Sequence, residues 1–276
     1  MQNKIFQEKI VVDGTFGDKE VHISGCVPYS PKGIQIILLH GVHSTANLRP
    51  NNKILFFAEL LAQKGYSTWM VETSRMVRDR HNYDDDSSAW IKAAFAGKTF
   101  CQEQEDDFRA IHYVLKKSDG KPVWIWGFSL GGAIALSAAS EEMFHSRNIE
   151  FTPEMIILGG IGITPNPKIV ESMGNLPILS TVEKSISKSL LAKVKTKSVI
   201  SFRGEHDEIF SRASCADLLD KIGIPAEQKI YKEIECVDHS FRMNDEIRTR
   251  DIANEMVEFV IRHKNEKEYK NKHKRI

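Results

Sequence analysis

Short apolar runs of strand length recur along this chain, at residues 34–39, 66–71, 123–126, 155–158 and 199–202, with a more polar one at 228–235. Between them stand stretches whose apolar residues keep helical spacing. Ile54, Phe57, Leu60 and Leu61 share one face over 53–64, which stops before Gly65. Phe108, Ile111 and Leu115 do the same over 103–117, and further helices are expected at 129–140, 211–222 and 245–264. Strands that alternate with helices fit one arrangement above all, an α/β fold around a mostly parallel, doubly wound sheet. The first thirty residues differ. Two alternating runs, Ile5 to Val12 and Val21 to Val27, flank a turn at Asp13-Gly14 and predict an antiparallel hairpin at a sheet edge.

One junction in this pattern carries chemistry. Gly127-Phe128-Ser129-Leu130-Gly131 follows the run Val123-Trp124-Ile125-Trp126 and precedes the small-residue helix that begins Gly132-Ala133-Ile134-Ala135. A strand, a glycine-flanked turn carrying a serine, and a helix stand in the order that a nucleophile elbow demands. A hydroxyl at the tip of such a turn needs strained backbone angles, so the residues two places either side must lack bulk. The helix that follows points its N-terminal amides toward charge developing at that hydroxyl.

Composition narrows the class. At 276 residues, with 41% hydrophobic and 27% charged side chains, the chain suits one globular domain with a sizeable core. A net charge of +1 argues against wholesale nucleic-acid binding. Cys26, Cys101, Cys215 and Cys236 are widely spaced and read as reduced thiols, neither a disulfide framework nor a zinc site. The polar N-terminus lacks the apolar core of a signal peptide, and no stretch is long and apolar enough to span a membrane. A cytoplasmic protein is expected.

Two stretches break the alternation. Residues 74–102 are polar and irregular, with Arg75, Arg78, Asp79, Arg80 and Asp84-Asp85-Asp86. Residues 160–195 are punctuated by glycine and proline, then lysine- and serine-rich over 180–195, with Ile186, Leu190, Leu191 and Val194 at helical spacing. Both follow carboxyl ends of strands, the rim where open α/β sheets bind ligands. The second is long enough for a small cap over a site, and a solvated surface insertion fits equally.

Taken together, His40-Gly41, the turn at Ser129, Gly204-Glu205-His206-Asp207 and Asp238-His239-Ser240 give the chain a clear resemblance over residues 18–263. It resembles a serine α/β-hydrolase of the esterase/lipase superfamily. The resemblance implies a single domain over 1–276 with about eight strands and a small cap insertion, candidate residues 160–195, followed by a basic tail at 265–276. It implies the order nucleophile, acid, histidine, met here by Ser129, Asp207 and His239. It places the oxyanion donors at the backbone amides of Val42 and Leu130. Glu205 and Asp238 compete with Asp207 for the acid, and the family's spacing after the glycine favours Asp207. His40 is expected to support the oxyanion loop, His43 to lie in a solvated loop or line the pocket, and His112 and His206 to be surface or helix residues.

The activity so implied is carboxylic-ester hydrolysis through an acyl-enzyme, without a cofactor, on a small-molecule ester of small to medium or aryl/cinnamoyl acyl type. A thioesterase or acyltransferase would use the same triad. A non-catalytic ligand-binding protein could keep the same fold. Serine at the elbow disfavours halide-releasing chemistry, which calls for aspartate there. His43, His81 and Asp84–Asp86 lack the spacing of a metal site, and no phosphate-binding glycine loop appears. The basic C-terminal tail is expected to be a solvated helix extension or frayed end, and nothing in the sequence sets an oligomeric state.

Overall fold

A computed structural model describes residues 4–42, 44–79, 83, 87–140, 151–172, 176–182, 187–243 and 245–273. Eight strands form a single sheet in the order β1-β2-β4-β3-β5-β6-β7-β8. They are β1 (Ile5–Asp13), β2 (Glu20–Pro28), β3 (Gln35–Leu39), β4 (Ser67–Glu72), β5 (Val123–Phe128), β6 (Met155–Gly159), β7 (Val199–Gly204) and β8 (Lys229–Ile234). β1 pairs antiparallel with β2, and β2 antiparallel with β4, which forms the edge hairpin expected from the sequence. All other pairings are parallel. Every residue of β3 to β7 is buried, as strands covered on both faces require.

The covering helices are α1 (Lys53–Gln63), α2 (Ser87–Ala94), α3 (Phe100–Ser118), α4 (Leu130–Ala138), α5 (Pro167–Ser172), α6 (Pro177–Ser180), α7 (Lys188–Ala192), α8 (Arg212–Lys221) and α9 (Glu246–His273). One core layer packs α3 and α4 residues such as Phe108, Ile111, Ile134 and Leu136 against Ile37, Leu39 and Ile125. The other packs Phe56, Phe57 and Leu61 of α1 and Met256, Val257 and Val260 of α9 against Trp124, Trp126 and Ile157. The chain leaves β3 toward β4 on one side and returns to β5 on the other. That reversal opens a crevice beyond the carboxyl ends of β3 and β5, where α/β sheets hold their ligands.

Two sequence expectations need correction. The described part of 74–102 is not irregular throughout: it contains α2, and α3 begins at Phe100 instead of 103. Thr99 caps α3 in a reciprocal capping box with Gln102, a signal that the periodicity of Phe108, Ile111 and Leu115 outweighed. Arg75 and Lys98 are wholly buried. Lys98 Nζ meets Asp106 at 2.8 Å and Glu103 at 2.5 Å, both on α3, and Arg75 lies 3.7 Å from Glu72 at the end of β4, so each buried cation has an acid beside it.

α6 ends at Ser180 and α7 spans Lys188–Ala192, with Leu190, Leu191 and Val194 buried. α9 runs past residue 264 to His273, so the described part of the basic tail is helical. His43, His81, Asp84–Asp86, Ile186 and residues 274–276 lie outside the described residues.

Candidate active site

The turn between β5 and α4 is built as its sequence demands. Ser129 has φ 50° and ψ −116°, a conformation that costs a non-glycine residue about 1–3 kcal/mol and persists where the surroundings over-determine it. They do so here by backbone crowding. A Cβ on Gly127 would lie 2.2 Å from the Gly131 carbonyl oxygen, and one on Gly131 would lie 2.5 Å from the Leu39 carbonyl oxygen. Both glycines are therefore needed for want of space. The Ser129 amide donates to the Gly159 carbonyl at 2.8 Å, which ties the turn to the end of β6.

The Ser129 side chain meets His239, which in turn meets Asp207. Its Oγ lies 3.0 Å from His239 Nε2, and His239 Nδ1 lies 2.9 Å from Asp207 Oδ2. His239 sits in the loop after β8, and Asp207 in the loop after β7. The second oxygen of Asp207, Oδ1, accepts from the amides of Ile209 and Phe210, each at 2.9 Å, which fixes the carboxylate plane. Asp207 is buried and His239 is partly exposed.

The competing acids are engaged elsewhere. Glu205 accepts from the Cys236 amide at 2.9 Å, and Asp238 Oδ1 accepts from the amide and hydroxyl of Ser240 at 2.8 and 2.7 Å. His206 is exposed and His112 lies within α3.

The candidate oxyanion donors flank the same serine. Leu130 is the first residue of α4, where amides have no partner within the helix. The Gly41-Val42 segment comes off β3 so close to Ser129 that a Cβ on Gly41 would stand 3.0 Å from the serine Cβ. Val42 and Leu130 both line the cavity at this point.

His40 holds this segment from behind. It is buried, with Nδ1 2.8 Å from the Gly41 carbonyl and Nε2 3.1 Å from Arg75 Nη2. Arg75 can only donate, so Nε2 accepts and Nδ1–H donates to Gly41, which is the neutral tautomer. Burial first, and the Arg75 charge second, push the His40 pKa below its ordinary value. Arg75 stacks on Trp90 and Phe95 and lies 3.7 Å from Glu72. This buried group backs the Gly41-Val42 segment. Its anchor, Arg75, was hidden in a stretch that reads as solvated.

The cavity holds about 800 Å³, within the range of small-molecule sites. Ala133, Ile161, Leu179, Val182 and Leu218 give it an apolar wall, while Lys53, Asp238, Ser240 and Arg242 give it a polar one. Sequence reasoning placed Lys53 simply at a helix start. It is buried, donates to the Ser240 carbonyl at 2.5 Å, and has its pKa pushed down to about 7, by burial first and then by Arg242. Arg203 was also missed. Its guanidinium donates to the carbonyls of Phe210, Glu205 and Asp207 at 2.9, 3.1 and 2.9 Å and so shapes the Asp207 loop.

Comparison with known proteins is informative at the level of fold. No protein-family model matches the sequence, and no curated protein matches it. Among solved structures, a thermostable carboxyl esterase from Bacillus coagulans is similar with a TM-score of 0.64 at 15% identity, covering 92% of this chain and 97% of its own. The esterase domain of a Rhodothermus marinus protein gives 0.61 at 14%, covering 93% and 98%. A dienelactone hydrolase from Anabaena variabilis gives 0.58 at 18%, covering 93% and 98%. Among the described residues, no helix is long and apolar enough to cross a membrane. The protein is a single α/β domain with the α/β-hydrolase fold, and the solved structures similar to it include esterases, an α/β serine hydrolase and a dienelactone hydrolase.

Proposed function

We propose that the protein is a serine hydrolase that cleaves carboxylic esters through an acyl-enzyme. The observation that carries this reading is the hydrogen-bonded series Ser129–His239–Asp207 on a strained, glycine-flanked turn. Ser129 Oγ attacks the ester carbonyl carbon while His239 Nε2 takes its proton. The oxyanion that forms is met by the amides of Val42 and Leu130, each donor worth about 3–4 kcal/mol. The carbon–oxygen bond to the alcohol then breaks, and the alcohol leaves with the proton held by His239. Water, deprotonated by the same histidine, attacks the acyl-serine, and the acid departs as Ser129 recovers its proton. Asp207 keeps the His239 proton on Nδ1 and stabilises the imidazolium.

The apolar wall supports acyl groups of small to medium or aryl/cinnamoyl size. Ile161, Leu179 and Val182 contribute to that wall from the 160–195 stretch, which supports its part as a small cap. The reaction needs no cofactor, and a cytoplasmic location is consistent with the four free cysteines. A p-nitrophenyl butyrate assay with rapid mixing tests the scheme: a burst of p-nitrophenol stoichiometric with enzyme, lost in Ser129→Ala, is expected. Absence of turnover across p-nitrophenyl esters of two to eight carbons would contradict it.

A further inference from the structure

Lys53 stands where an ammonium is costly. As the first residue of α1 it faces the positive end of the helix dipole. It is 6% exposed, and its Nζ lies 4.7 Å from the Phe128 ring centroid and 6.0 Å from that of Phe241. Among the described residues, its polar contact is the Ser240 carbonyl, and no carboxylate forms an ion pair with it. Asp238, the acid whose charge it feels, directs Oδ1 to Ser240 instead. Arg242 adds a second positive charge to the same wall of the cavity. An aliphatic side chain would pack between these rings at lower cost, so structure alone does not call for an amine here. An ammonium has three donors, and one is used.

Ser240, which Lys53 holds, is the residue after His239, so the cation adjoins the reacting centre. Its aromatic companions Phe128 and Phe241 belong to the α1–α9 core layer, whereas Ala133 and Leu218 of the apolar wall belong to the α3–α4 layer. The cavity thus has one end suited to hydrocarbon and one suited to an anion, with Ser129 lining it too.

Building on the hydrolase reading, we infer that the ester cleaved at Ser129 carries a carboxylate or equivalent anion, which Lys53 binds inside the cavity. The anion supplies the counter-charge that the folded protein withholds, and it accepts the two N–H groups left by Ser240. Buried beside Phe128 and Phe241, such a pair is stronger than its counterpart in water.

The test uses the full chain and two matched pairs of esters. One is 3-(4-acetoxyphenyl)propanoate against its methyl ester, with the anion on the alcohol half. The other is p-nitrophenyl hemiglutarate against p-nitrophenyl valerate, with the anion on the acyl half. The wild type is expected to prefer the anionic member of at least one pair by about tenfold or more in kcat/KM. Lys53→Met, and Lys53→Gln as a second variant, should abolish that preference while still reacting with a fluorophosphonate. No preference in either pair, or a preference that survives in both variants, overturns the inference. A wild type that hydrolyses the neutral esters without preference loses this inference alone, whereas one that hydrolyses none and resists the fluorophosphonate loses the hydrolase reading.

Discussion

Arg203 on β7 donates through Nη2 to the Asp207 carbonyl at 2.9 Å, and the same guanidinium holds the carbonyls of Glu205 and Phe210. Its remaining contact is an ion pair with Glu233 at 2.9 Å. A planar fork with five donors can satisfy this set of acceptors, and a lysine cannot. Arg203 is therefore the positioning residue of the loop that presents Asp207 to His239. Arg203→Lys should lower kcat by about 10- to 100-fold with KM little changed, by analogy with the loss of other supporting-shell contacts. Steady-state kinetics check this; an unchanged kcat in a folded variant would contradict it.

Asp207 has a more direct part. In an Asp207→Asn variant the side-chain amide could keep the oxygen contacts to Ile209 and Phe210 and would turn its NH2 toward His239 Nδ1. Nδ1 must then accept, so Nε2 carries the proton and no longer accepts one from Ser129. A fall in kcat of about 10⁴-fold with little change in melting temperature is expected, the magnitude known for this exchange in a serine protease. Glu205→Gln and Asp238→Asn should lack that effect. If either matches it, the acid has been misassigned.

Lys53 gives a prediction with opposite signs for activity and stability. Its folded pKa of about 7 lies below the 10.5 of an ordinary lysine, so the unfolded chain binds more protons between those values. Wild-type stability from this group is therefore fully present above about 10.5 and is lost as pH falls toward 7. Lys53→Met removes the penalty. Its melting temperature should exceed the wild type's by a few degrees at pH 6, and the margin should shrink toward pH 10. Arg242 and Asp238, the charged groups facing Lys53, remain in place in both proteins. Thermal melts across that range check the sign, and a variant less stable than wild type at pH 6 would contradict it.

How much the sequence discloses depends on the range of the interactions. Strands buried on both faces announce themselves as apolar runs, and β3 to β7 are legible for that reason. The elbow is legible because its needs are local: Gly127 and Gly131 stand where a side chain would collide with backbone. Asp207 and His239 were named by the family resemblance, and the structure brings them to 2.9 Å of each other from different strand-exit loops. Arg75, Lys98 and Lys53 were not legible. Each is a charged residue that the fold buries with a partner from another element, His40 for Arg75, Asp106 for Lys98 and Ser240 for Lys53, and no local pattern distinguishes it from a solvated side chain. The helical spacing of Leu190, Leu191 and Val194 was a sign of burial, and a short helix spans Lys188–Ala192.

The central claim is that Ser129 is a nucleophile activated by His239. Treating the protein with a fluorophosphonate and mapping the labelled peptide by mass spectrometry tests it most directly. The adduct should form on Ser129 at stoichiometry near one and should be lost in Ser129→Ala. In His239→Ala its rate of formation should fall by several orders of magnitude. A folded wild-type protein that stays unlabelled, or that is labelled equally well without His239, would contradict the account.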